Sequence, residues 1–182
     1  MSYPSRGFTL LELLVVLCII FISASLSVSA ISLVSKHRSE AIVSDLVHLL
    51  AAARQTAVSK KVVTTICPSN DGVRCEKNWS YQIIAFEDRN NNKIRENNEP
   101  IISNKSALPS THQLTWRSFQ NKPYIQYSSV GYTLSHNGSF VLCDKSSVRV
   151  LIMNKMGRVR HGQDRDGDGN QEMANGKVAV CK

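Results

Sequence analysis

The sequence predicts an α+β chain: a long N-terminal helix, its first half suited to a membrane, laid on an antiparallel β-sheet domain with two disulfides. Three observations carry this. No glycine or proline occurs between Phe8 and Ile66, so nothing breaks a helix there. Runs rich in β-branched and aromatic residues follow, separated by turn residues. Four cysteines, Cys67, Cys75, Cys143 and Cys181, lie in that second region.

The helix has two characters. From Phe8 to Val34 every residue is apolar or small and neutral except Glu12. Residues 8–35 thus have the length and composition of a membrane-spanning segment, which needs about 20 residues. Residues 36–61 turn amphipathic. Ile42, Leu46, Leu49, Ala53 and Ala57 recur at helical spacing, with Lys36, Arg38, Asp45 and Arg54 among the polar positions. One continuous helix over 8–60 would be roughly 80 Å long at about 1.5 Å per residue.

Residues 62–182 form the globular domain. Strands are expected at 62–66, 79–86, 113–119, 124–129, 131–135, 139–143, 147–153, 157–161 and 177–181. An Asn-Gly hairpin turn is expected at His136-Asn137-Gly138-Ser139. Asp88 to Pro100 (DRNNNKIRENNEP) reads as a surface loop. No repeat or low-complexity linker interrupts the region, so it counts as one domain.

The even set of cysteines points to an oxidising compartment and two disulfides. Four cysteines allow three pairings. Nearness along the chain favours Cys67–Cys75, which leaves Cys143–Cys181 to tie down the C-terminus. Loop-closure arithmetic values these at about 2.6 and about 3.9 kcal/mol. Cys18, inside the apolar run, acts as a small hydrophobe.

Among 182 residues, 42% are hydrophobic and 20% charged, a globular composition. The net charge of +8, from 22 Lys+Arg against 14 Asp+Glu, favours anionic partners such as nucleic acid, acidic lipid or acidic protein. A hydrolase finds no support, because there is no G-x-S-x-G elbow and no H-E-x-x-H helix. His37, His48, His112, His136 and His161 are scattered without ligand spacing. No enzyme activity, cofactor or metal is expected.

Two stretches imitate calcium loops without completing them. In Asp88–Glu99, Lys93 stands where the sharp turn needs glycine. In Asp164-Arg165-Asp166-Gly167-Asp168-Gly169-Asn170 the glycine is in place, but the twelfth position is Asn175. Both are assigned as turns.

Glu12 requires a reason, since a carboxylate near the bilayer centre costs about 2.5–3.5 kcal/mol. A secretory signal cut after Ala30 or a plain anchor leaves it unexplained. The stretch Arg6-Gly7-Phe8-Thr9-Leu10-Leu11-Glu12-Leu13-Leu14-Val15-Val16 resembles the leader junction of type IV prepilins. That resemblance implies a leader of residues 1–7, cleavage after Gly7 by a prepilin peptidase at the inner membrane, and N-methylation of Phe8. It also implies that Glu12 neutralises the terminal amine of a neighbouring pilin. A buried carboxylate is tolerable beside such a partner.

The last feature is Gly157-Arg158-Val159-Arg160. In a strand, Arg158 and Arg160 share one side, about 6.7 Å apart, which is roughly two steps along one strand of duplex DNA. Guanidinium forks hold phosphate bidentately. Arg149, Lys155, Arg165 and Lys177 lie nearby in sequence. Arginines that keep an edge strand soluble are the alternative, and Asp164, Asp166 and Asp168 would repel phosphate on a shared face. Over nearly its whole length the chain resembles the GspH/FimT group of minor pilins and pseudopilins. Within that group, the FimT-type minor pilins are associated with DNA binding through a C-terminal Gly-Arg-x-Arg motif. The resemblance implies a subunit anchored in the inner membrane with a periplasmic domain, later extracellular in a pilus, binding DNA nonspecifically during natural transformation. A structural minor pilin or type II secretion pseudopilin without DNA binding is the alternative.

Overall fold

The computed structural model describes residues 9–133, 135–145 and 147–181, the side chains of 25–36 excepted. Helix α1 spans Leu10–Lys60. The Thr9 hydroxyl accepts the Glu12 amide at 3.3 Å, so Thr9 caps the helix and Glu12 sits in its first turn, where a negative charge suits the helix dipole. Lys61, with φ of 57°, ends the helix. The chain divides into two compact units at His37/Arg38. Among the described residues no helix is long and apolar enough to cross a membrane. The expected membrane segment, 8–35, lies partly outside them.

Among the described residues the second unit carries eight strands: β1 Thr64–Pro68, β2 Ile83–Glu87, β3 Ile101–Lys105, β4 Gln113–Ser118, β5 Ile125–Tyr127, β6 Gly138–Cys143, β7 Val148–Met153 and β8 Val159–His161. They form two four-stranded antiparallel sheets, ordered β3-β2-β1-β5 and β4-β6-β7-β8. Ile42, Leu46, Leu49, Leu50, Ala53 and Ala57 of α1 are buried in one core with residues of both sheets. Ile66, Ile83, Ile125 and Tyr127 come from the first sheet, and Leu114, Phe140, Leu142, Leu151 and Met153 from the second. Trp79 packs edge-on against Phe140, with ring centroids 5.0 Å apart.

The opposite face of the second sheet is also covered. Val141, Val150 and Ile152 pack there with Met173 and Ala179 of the C-terminal segment. Cys67 is bonded to Cys75 and Cys143 to Cys181, the second bond tying that segment to β6.

Several expectations are corrected. Strand β3 was not expected; its Ile101–Lys105 run alternates poorly, but it pairs with β2. The described residues of 131–135 form no strand, and 177–181 contributes only a bridge between Val178 and Glu172. Asn137-Gly138 does not turn a hairpin, because β6 pairs with β4 and β7. Glycine is required at 138 for another reason: a Cβ there would collide with the Arg117 carbonyl oxygen.

Candidate nucleic-acid interface

The Gly-Arg-x-Arg stretch forms the turn between β7 and β8. The Gly157 amide donates to the Asn154 carbonyl at 3.0 Å, and the Arg158 amide to the Asn154 side-chain oxygen at 3.0 Å. Gly157 has φ of 73°. A Cβ there would come within 2.7 Å of both the Gly131 carbonyl oxygen and Tyr127 Cε1, so only glycine fits.

Neighbouring elements pin this turn. From α1, Arg54 donates Nε to the Gly131 carbonyl and Nη2 to the Met156 carbonyl, each at 3.0 Å. The Thr133 hydroxyl donates to the Asn154 and Lys155 carbonyls. Tyr127 reaches the Gly157 carbonyl at 3.4 Å, and burial pushes its hydroxyl pKa up to about 12, which keeps it protonated as a donor. Beyond the turn, Val159 packs against the core while Arg158 and Arg160 are exposed on either side of it.

The other expected cations divide. Lys155, Arg165 and Lys177 are exposed. Arg165 Nη1 lies 3.8 Å from where a Cβ of Gly176 would be, so Arg165 and Lys177 flank the same C-terminal turn. Arg149 does not join them. It points inward from β7, is buried, and donates Nε to Glu40 of α1 at 2.7 Å and Nη1 to the Gly169 carbonyl at 2.8 Å. The alternation of β7 puts it on the helix side, where its charge is spent internally.

The acidic loop sits away from the arginine pair. Val148 and Arg149 hold residues 169 and 170, whereas Arg160 pairs with Ile152. Four residues of strand, about 13 Å, separate those positions along β7. Asp164, Asp166 and Glu172 bring carboxylate oxygens within 4.8 Å of one another. Asp164 already accepts the Gly167 and Gly169 amides, and Glu172 the Arg165 amide. Likewise Asp88 and Glu99, both buried, accept amides of their own loop. These carboxylates close turns.

Gly7 and Phe8, expected at the cleavage junction, lie outside the described residues. A prokaryotic N-terminal methylation motif matches residues 4–33. The family described as type II transport protein GspH matches residues 43–157. The chain belongs to the GspH family. Its fold resembles that of the type IV minor pilin FimU of Pseudomonas aeruginosa PAO1, with a TM-score of 0.53 at 15% identity over 71% of this chain and 91% of that one. The minor pseudopilin EpsH from the type 2 secretion system of Vibrio cholerae aligns with a TM-score of 0.51 at 10% identity, over 68% of this chain and 95% of that one. At these identities the likeness shows the fold. No curated protein sequence matches the chain. GspH membership makes it a pilin or pseudopilin subunit, a structural class whose partners are other pilins.

Sequence reasoning did not pick out Arg54 as a clamp on the Gly157 turn. It stands among polar positions of an amphipathic helix, and only the tertiary fold brings Met156 to it.

Proposed function

We propose that this GspH-family chain is a minor subunit of a type IV pilus that binds extracellular DNA nonspecifically during natural transformation. The observation that carries the reading is the Arg158/Arg160 pair: two exposed guanidiniums, without an ion-pair partner among the described residues, flank an anchored Val159 at the start of an edge strand. Their spacing suits phosphates about two steps apart along one strand, gripped without reading bases. Lys155, Arg165 and Lys177 add positive charge. Arg149 is left out of the contact set.

The N-terminal events belong to the same reading. A prepilin peptidase cuts after Gly7 and methylates Phe8. Residues 8–35 hold the subunit in the inner membrane with its domain in the periplasm, until Glu12 meets a neighbour's amine and the subunit enters the filament. Weak binding per subunit is offset by avidity along a fibre.

Arg158→Ala combined with Arg160→Ala is expected to abolish mobility shifts on DNA of any sequence, with an unchanged circular dichroism spectrum. Unchanged shifts by a folded double variant would remove the proposal and leave an assembly-only pilin or pseudopilin, the reading to which the EpsH-like fold also lends itself.

A further inference from the structure

We propose that Phe119 is a stacking platform for an unpaired base, so that the site takes single-stranded DNA in preference to an intact duplex. This rests on the DNA-binding reading above and adds a residue and a substrate class to it.

The fold leaves this ring unused. Phe119 follows β4 and is 85% exposed, more than any other large hydrophobic side chain described in the second unit. It belongs to none of the apolar clusters that hold α1 and the sheets together. A bare aromatic face gains from a flat partner that covers it.

Register brings Phe119 to the end of the sheet that bears the arginine motif. Ser118 of β4 pairs with Gly138 of β6, Gly138 with Met153 of β7, and Met153 with Val159 of β8. Phe119 is the next residue beyond that row on β4, and Arg158 the next beyond it on β8, so both leave the sheet at the same end. The Phe119 amide donates to the Asn137 carbonyl at 3.4 Å and the Asn154 amide to the Arg158 carbonyl at 3.1 Å, which continues the pairing past the row. Across three strand spacings, about 14 Å, a short stretch of one flexible strand joins the two. The loops here are open: Phe119, Gln120, Asn121, Asn154, Lys155 and Arg158 are all exposed. Arg117, by contrast, is held by the Val180 carbonyl of the C-terminal segment that covers the sheet face.

The surroundings select the partner. No Asp or Glu occurs from Ile101 to Cys143 or from Lys145 to Gln163, while Lys122 and Lys155 stand in the loops that follow β4 and β7. Phosphates are therefore admitted at both. An aromatic ring set among cations holds bases without regard to sequence, because every base has a π face. In an intact duplex those faces are taken by the neighbouring bases. A single strand leaves them free for the Phe119 ring.

The test is fluorescence anisotropy of the full-length protein in detergent micelles, across a salt series, with labelled probes of one length: a thymidine strand, an abasic strand and a blunt duplex. Wild type is expected to bind the thymidine strand most tightly. Phe119→Ala should weaken that binding at least about fivefold and leave the abasic strand and the duplex within about twofold. The log–log salt slope should not change, since no charge is lost. Phe119→Trp should restore the affinity and Phe119→Leu should not, which separates stacking from mere apolar contact. Unchanged thymidine-strand binding by Phe119→Ala overturns the proposal, and so does an equal loss on all the probes or a wild type that prefers the duplex. Wild type that binds none of the probes overturns the DNA reading itself, a result distinct from these.

Discussion

Arg149 and Glu40 form an ion pair between β7 and α1, with Nε 2.7 Å from Oε1; the Arg149 side chain is 8% exposed and that of Glu40 48%. The pair joins the sheet that bears the Gly157 turn to the helix. The two ends are unequal, because removing Glu40 strands a buried charge whereas removing Arg149 leaves a carboxylate that water can reach. Glu40→Ala is expected to cost about 3 kcal/mol, and Arg149→Leu less than half of that. Neither should change the salt slope of DNA binding. Thermal melts and salt titrations check both, and a shallower slope for Arg149→Leu would return Arg149 to the contact set.

Arg54 clamps the turns that carry Gly131 and Met156. Arg54→Ala leaves two carbonyls without their donor and is expected to cost about 1–3 kcal/mol of stability. Because it acts through the position of Arg158, its effect on DNA affinity should shrink in an Arg158→Ala background. A double-mutant cycle measures this; additive losses would make Arg54 an independent contact.

The two disulfides differ in what they close. Cys143–Cys181 spans 38 residues and Cys67–Cys75 spans 8. Replacing the first pair with serine should lower stability by about 3.9 kcal/mol and the second by about 2.6 kcal/mol. Denaturant melts give both values. The loss of the first should also loosen Arg117, whose Nη2 binds the Val180 carbonyl beside Cys181.

Acid should weaken the fold before it touches the arginines. Burial lowers the pKa of His112 from 6.5, against the pull of Asp144, and burial likewise lowers that of His136. The unfolded chain then binds more protons than the folded one, so stability is full above about pH 6.5 and falls as pH drops below it. Glu87 adds to the loss further down. Its hydrogen bond from Lys60, aided by Arg89, holds its carboxyl below the usual 4.5, so that contribution disappears only as pH falls through this lower range. Melting temperatures between pH 8 and 4 should trace this decline, and His112→Gln should flatten its upper part.

What could be read along the chain was whatever depends on local pattern. The absence of helix breakers gave α1, and the β-branched runs gave β1, β6 and β7 to within two residues at each end. Register could not be read, because it depends on which strands pair. The Asn-Gly signal at 137–138 marked a close backbone approach by Arg117 rather than a hairpin. The site divided the same way. Arg158 and Arg160 belong to a local motif, and their exposure follows from strand alternation around Val159. Arg149 obeys the same alternation but points inward, which its neighbours Val148 and Val150 do not reveal. Arg54 reaches the region only through tertiary packing, so no window of sequence contains it beside Gly157.

The most direct measurement is the salt dependence of DNA binding by the full-length protein. Two phosphates neutralised by Arg158 and Arg160 predict a log–log slope of about −1.8, steeper by about 0.9 for each further contact. An absence of binding at low salt, or a slope that the Arg158→Ala, Arg160→Ala variant leaves untouched, would contradict the account.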